Sequence, residues 1–436
     1  MPIPFASFQI APSTGAAVIA LLTFVALALG EVPGLRLNRA AIAMIGAGAV
    51  LVFGVLTLQE AERTVDLSTL ILLFSMMIIN AVLELSGFFT WVGEIVIERA
   101  NAPTMLLVLV VITAGVLSML FLNDPVCVML TPLVCGVVLR LRRDPLPYLI
   151  ALACAANVGS VATITGNPQN ILIGASSGIG YLYWLARLGP VAAVGMAIVF
   201  AVVWLLYPRE FRAGRDAGRD AGRPPAASAM IAPHHEGAPM TLAQAEATIY
   251  ASTLRRSLIV IALMLVAFLA GVNVTVASFV AACAILIGRR FESARILALV
   301  DWPLLVMFGG LFIVTGALEF TGVSAWLFDL ARPLAFAGTA PLAFVTAILS
   351  NLISNVPAVL LFRPLVPQFA DPTQAWLTLA AASTLAGNLT LIGSVANLIV
   401  AEQARKFGVK LTFMEYLKSG SIITILTLIA AVLFLG

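Results

Sequence analysis

Most of the charge in this chain lies in the joints between apolar runs. Those runs cover roughly 15–33, 38–58, 68–88, 103–140, 148–175, 180–206, 256–271, 273–288, 301–320, 340–370, 374–400 and 418–435. A helix needs about 20 apolar residues to cross a bilayer, and only helices or closed barrels satisfy their own backbone in lipid. Charged residues make up 10% of the 436 positions, where soluble domains run near a quarter. The expected fold class is therefore an all-α polytopic membrane protein. The length holds about ten spans and one sizeable loop, with no room for a second soluble domain.

Several function classes drop out on composition. A net charge of +3 would suggest nucleic acid only if the basic residues clustered on a soluble surface, and here they sit between apolar runs. Cys127, Cys135, Cys154 and Cys283 lie inside apolar segments with no CxxC spacing, so neither a disulfide framework nor a zinc site is expected. The only histidines, His234 and His235, are neighbours in a polar stretch, which leaves the membrane region without imidazole. No metal site, cofactor or enzymatic activity is expected. The first apolar run lacks a basic flank and a cleavage site, so no removable signal peptide is expected.

Two apolar runs are too long for one helix. Both 103–140 and 340–370 carry Asn-x-Pro near the middle, where proline breaks a helix, so each reads as a re-entrant hairpin. The stretch 207–255, with GRDAGRDAGRPP and APHHEGAP, has a composition that cannot bury a core and reads as a flexible cytoplasmic linker. It separates residues 1–206, with spans 1–5 and a cytoplasmic-side hairpin, from residues 256–436, with spans 6–10 and a periplasmic-side hairpin. With ten spans and the N-terminus outside, 20 lysines and arginines fall inside, Arg36, Arg39 and Arg99 among them. Only Arg63, Arg187, Arg332 and Arg363 fall outside, as the positive-inside rule requires. Both termini are expected to be periplasmic, in the inner (plasma) membrane.

The two halves match. Residues 66–91 align with 301–326 at Asp66/Asp301, Glu84/Glu319, Gly87/Gly322 and Trp91/Trp326. LSMLFLNDPVCVMLTPLV (117–134) aligns with LSNLISNVPAVLLFRPLV (349–366), 232 positions on. Because the copies enter from opposite sides, the repeat is inverted, an architecture with a solute site at the midplane between broken helices.

Each hairpin precedes a span interrupted by polar residues and glycine. One half supplies Asn157, Thr163, Thr165, Gly166, Asn167, Gln169 and Asn170, and the other Asn388, Thr390, Gly393, Ser394 and Asn397. Unwound backbone at such depth survives only where it lines a cavity or packs on protein. Half-helix N-termini then offer amides to a solute, while carbonyl and side-chain oxygens hold a cation. Ordinary small-residue packing would explain the glycines and serines but not two paired asparagine clusters. Asp124 is the one acid at a hairpin tip, where a charge costs about 2.5 to 3.5 kcal/mol on insertion scales, so it needs a partner or a proton. Its counterpart is Val356, so the fold does not demand an acid; helix capping is the alternative role. Asp66, Asp301, Glu84 and Glu319 read as span ends. GASSG (174–178) matches a serine-hydrolase string but has no membrane base. Asn167-Pro168 is similar to the Asn-Pro turn of water channels, yet Ser394-Val395 stands in the second copy.

These residues resemble the ion transporter superfamily, with its divalent anion/sodium symporters, arsenite efflux permeases and sodium/proton antiporters, over nearly the whole chain. The tips Leu122-Asn123-Asp124 and Ser354-Asn355-Val356 stand where dicarboxylate symporters carry paired Ser-Asn-Thr motifs, and TGNPQN resembles their following broken helix. The resemblance implicates Ser118, Asn123, Ser350, Ser354 and Asn355 in binding sodium and carboxylate, though this chain departs at both threonines and one serine. The Asn-Asp tip is instead similar to that of arsenite permeases. A fixed acid repels an anion but tolerates neutral arsenous acid or a coupling cation. The reading is proton-coupled efflux of arsenite or antimonite, with Asp124 the proton carrier; an anion symporter comes second and a sodium/proton antiporter third. Expected partners are the solute, H+ or Na+, membrane lipid, a second copy as homodimer and, in the arsenite-permease branch, a cytoplasmic ATPase.

Overall fold

The computed structural model describes residues 12–29, 37–100, 102–212, 251–287, 291–324, 326 and 338–436, and every regular element among them is helical. The linker expected over 207–255 lies mostly outside the described residues. Its two ends are helical: α11 (Pro208–Arg212) follows the fifth span, and the sixth begins one turn early, at Ala251.

The first half contains α1 (Pro12–Leu29), α2 (Arg39–Val52), a short α3 (Leu58–Thr64), α4 (Leu67–Leu85), α5 (Phe88–Arg99), the hairpin arms α6 (Pro103–Leu120) and α7 (Asn123–Arg140), α8 (Leu146–Ser160), α9 (Pro168–Ser177) and α10 (Tyr181–Leu206). The second half repeats the order with α12 (Ala251–Leu269), α13 (Val274–Leu286), α14 (Ser293–Ala298), α15 (Trp302–Phe320), the hairpin arms α16 (Thr339–Ile353) and α17 (Asn355–Phe362), α18 (Pro372–Ala386), α19 (Val395–Arg405) and α20 (Phe413–Leu435). Helices α8 and α9 are one span interrupted at 161–167, and α18 and α19 another interrupted at 387–394. The all-α class is as expected, the element order repeats between the halves, and among the described residues seven helices are long and apolar enough to cross a membrane, two of them the arms of the first hairpin.

Local chemistry fixes the helix starts in matched pairs. Asn38 and Asn273 cap α2 and α13, their side chains accepting from Ala41 N and Val276 N. Asp66 and Asp301 cap α4 and α15 in the same way, from Thr69 N and Leu304 N. Each cap satisfies a backbone donor that has no partner inside its helix.

The two hairpins differ in build. Both arms of the first have 18 residues, about 27 Å at 1.5 Å per residue, each long and apolar enough to cross a bilayer alone. The second has arms of 15 and 8 residues. What fixes the first tip inside the protein is Asn123 N, which donates to Gly166 O of the neighbouring break at 3.0 Å.

The described elements pack as two groups. A frame contains α1 to α4 and α12 to α15, with α2 along α15 and, repeat-related, α13 along α4. A core contains α6 to α10 and α16 to α20, built on α8 and α18, whose residues 147–160 and 375–386 are wholly buried. A Cβ at Gly159 of α8 would fall on the Gly115 backbone of α6, so these helices meet backbone to backbone, as small residues allow. The halves interlock inside the core: α7 packs on α19, and α9 on α17 and α18. Between frame and core the packing is thinner, through α4 with α9, α1 with α16 and α15 with α17.

Candidate transport site

At the two breaks the same construction appears twice. Asn170 Nδ2 donates to the carbonyls of Ser160 and Thr163, ten and seven residues back, at 2.9 and 3.0 Å. Asn397 Nδ2 donates to those of Gly387 and Thr390, again ten and seven residues back, at 2.8 and 3.0 Å. Each asparagine thus closes its own break by satisfying two carbonyls that the interrupted helix leaves free. Asn167 caps α9 through Asn170 N and donates to Ser160 Oγ (2.8 Å) and Thr384 Oγ1 (3.2 Å).

Asn157 joins the halves. Its Nδ2 donates to Asn388 Oδ1 (2.9 Å) and Asn397 Oδ1 (3.0 Å), and its Oδ1 accepts from Asn123 Nδ2 (3.0 Å) and Ser394 Oγ (3.1 Å). One buried amide therefore ties the first hairpin tip to both sides of the second break.

In front of this network lies a cavity of about 300 Å³ at the seam between core and frame. From the core come Asn123 and Asp124 of the first tip, Ser354, Asn355 and Val356 of the second, Pro168 and Gln169 of one break, and Ile392, Gly393, Ser394 and Val395 of the other. The frame contributes Asn38, Arg39 and Ala40 at the start of α2, and Asp301, Pro303, Leu304 and Met307 at the start of α15. These are the N-termini of six helices, α2, α7, α9, α15, α17 and α19, whose unpaired amides and positive dipole ends favour oxygen-rich ligands. Among the charged side chains, two carboxylates, Asp124 and Asp301, face one guanidinium, Arg39, and no ion pair links them.

Several polar atoms here have no hydrogen-bond partner among the described residues. They include Asn123 Oδ1 and Asn355 Oδ1 at the tips and Ser118 Oγ and Ser350 Oγ one turn before them. All four are buried acceptors, and leaving such a group unmade costs about 1 to 3 kcal/mol. Ser354 adds strain: its φ of +86° is in the region that favours glycine, and it sits at the second tip.

Of the residues read as binding groups from sequence, Asn123, Asp124, Ser354, Asn355, Gly393 and Ser394 line the cavity. Asn157, Asn167, Asn170, Asn388, Asn397, Thr390 and Gly166 lie behind it, their amides or carbonyls used in bracing the breaks and the tip. Ser118, Ser350 and Thr165 are buried beside the tips and the first break. Arg39 and Asp301 were missed as cavity groups, one read as a cytoplasmic flank and the other as a span end. Asp301 is a cap, as expected, but it also faces the cavity. Among the described residues no cluster of three or more His, Cys, Asp or Glu could hold a metal.

A cavity walled by helix N-termini from both repeats, at the seam between core and frame and beside two broken helices, is the architecture of a membrane transporter. The "Citrate transporter" family model matches residues 24–386, and the chain belongs to that family. It is similar to the silicon efflux transporter LSI3 of Oryza sativa subsp. japonica, 31% identical over 426 residues (86% of this chain, 87% of the relative). The putative transporter arsB of Dictyostelium discoideum is 24% identical over 498 residues (91% and 87%). Among solved structures, the YdaH transporter of Alcanivorax borkumensis, described as having an unusual topology, shares the fold with a TM-score of 0.59 at 12% identity, covering 98% of both chains. The chain is thus a multi-pass membrane transporter.

Proposed function

We propose that this transporter exports a small uncharged hydroxide, arsenous or antimonous acid, across the plasma membrane in exchange for protons. The observation that carries the reading is the charge of the cavity, two carboxylates against one guanidinium. With Asp124 ionised, the negative excess repels a polyanion by Coulomb's law, strongly where water is scarce, and leaves an uncharged hydroxide alone. Such a solute both donates and accepts hydrogen bonds. It matches a wall that offers donors at Arg39 and the helix N-termini and acceptors at Asp124, Asp301, Asn123 and Asn355. The relatives support the class of solute: one is named for silicon efflux, and dissolved silicon at neutral pH is the uncharged Si(OH)4, while another carries the name arsB. Asp124 is the proton carrier in this reading, since it is the acid at a hairpin tip and lines the cavity.

The hairpins enter from opposite faces in this reading, with the Arg39 and Asp301 ends of α2 and α15 toward the cytoplasm, so the cavity is the inward-facing site. A second reading, a cation-coupled carboxylate symporter, is favoured by the family's citrate description and by the orphaned oxygens of Asn123, Asn355, Ser118 and Ser350, which suit a bound sodium. The test is solute uptake by everted membrane vesicles, energised by respiration, with arsenite, antimonite, silicic acid and citrate compared. The proposal expects accumulation of the uncharged hydroxides, abolished by a protonophore. Sodium-dependent citrate transport with no movement of the hydroxides would replace it by the symporter.

A further inference from the structure

A transporter must open its site to the two sides of the membrane in turn, and here the site lies on the seam between core and frame, so contacts across that seam must break and remake. One such contact is an ion pair outside the cavity: Arg363, where α17 of the core ends, lies 3.3 Å from Asp66 at the start of α4 in the frame. The same guanidinium stands 5.9 Å from the centre of the Phe312 ring of α15, a cation over an aromatic face. Asp66 Oδ1 caps α4, and Oδ2 is left for the arginine.

This pair sits at the far end of the frame from the cavity charges. Gly310 of α15 packs on the Ala43 backbone and Gly46 of α2 on Val314, so the two helices run in the same direction, with Arg39 and Asp301 at a shared end. Thr64, two residues before Asp66, packs on Gly316, some fifteen residues along α15 from Asp301 and therefore about 22 Å away. At the Arg39 end the frame carries a base, Arg39, with Asp301 beside it, and the core carries an acid, Asp124, so an arginine of the frame there faces an acid of the core. Both line the open cavity, and no ion pair joins them.

We propose that Asp66–Arg363 and Arg39–Asp124 are alternating latches across the seam, one closed while the other is open, and that Arg363 and Asp66 are therefore positioning residues for transport although neither touches the solute cavity. The Asp66–Arg363 pair suits this task because its guanidinium is about a third exposed and can return to water when the pair opens.

The test reads the conformer. With exposed Cys283 replaced by Ser, Ile392→Cys puts a thiol on the cavity wall of the full-length protein in lipid nanodiscs, where its rate of reaction with a maleimide reports how often the cavity is open. Arg363→Gln should slow that reaction several-fold by releasing the latch that holds this conformer. Arg39→Gln should leave it unchanged or speed it, and Arg363→Lys should keep the parent rate. Pairing Asp66→Arg with Arg363→Asp should restore the rate lost in Arg363→Gln; Arg363→Lys serves the same purpose if the doubly swapped protein does not fold. Equal labelling of Arg363→Gln and its parent, or equal slowing by Arg363→Gln and Arg39→Gln, would overturn the proposal.

Discussion

Asn397 and Asn123 are both buried asparagines beside the same cavity, yet their amides do different work. Asn397 holds two carbonyls of a broken helix, and removing it leaves both without a donor in a dry interior. Asn397→Ala should therefore lower stability by about 1 to 3 kcal/mol per orphaned group, seen as a drop in thermal midpoint of the purified protein. Asn123 keeps a free oxygen at the tip, so Asn123→Ala should depress transport far more than its modest loss of stability would suggest. Sequence alone could mark both residues as buried polar groups that need a reason, because asparagine in an apolar run is expensive. It could not divide bracing from binding, since that depends on which carbonyls come within 3 Å after folding. Arg39 and Asp301 were illegible for a related reason. Each looks like an ordinary helix end, and only the packing of α2 along α15 brings them to the hairpin tips.

At the scale of elements, the spans and breaks were readable because hydropathy and helix-breaking residues act locally. The N-termini of α7, α17, α9 and α19 fall where Asn-x-Pro and the Asn/Gly clusters put them. The repeat was readable too, through Asp66/Asp301 and the matching tips. What the pattern did not contain was the length of the first hairpin's arms inside the fold, or the division into core and frame, which rests on side-chain fit across helices far apart in sequence. One such fit is the glycine contact of α8 with α6. Gly159→Ala puts a methyl group onto the Gly115 backbone, and overpacking of this kind costs about 1 to 3 kcal/mol. The variant should reach the membrane in reduced amount and melt at a lower temperature, whereas the same change at Gly136, where nothing lies within 4 Å, should be silent.

For the whole molecule, the proposed orientation rests on the distribution of lysine and arginine. Glu62 and Lys410 are both exposed and lie on opposite sides in the proposed topology. In intact cells an impermeant thiol reagent should label Glu62→Cys and leave Lys410→Cys untouched; the reverse pattern would invert the cavity's direction. The central claim is that a solute in the seam cavity exchanges against a proton carried by Asp124. Asparagine at that position keeps the size and much of the hydrogen bonding but cannot release a proton. The most direct measurement is arsenite movement in proteoliposomes with and without an imposed pH gradient, comparing the parent with Asp124→Asn. The expected result is uphill accumulation by the parent, and only downhill equilibration, with solute binding retained, by the variant. Gradient-driven accumulation by Asp124→Asn at the parent's level would contradict the claim.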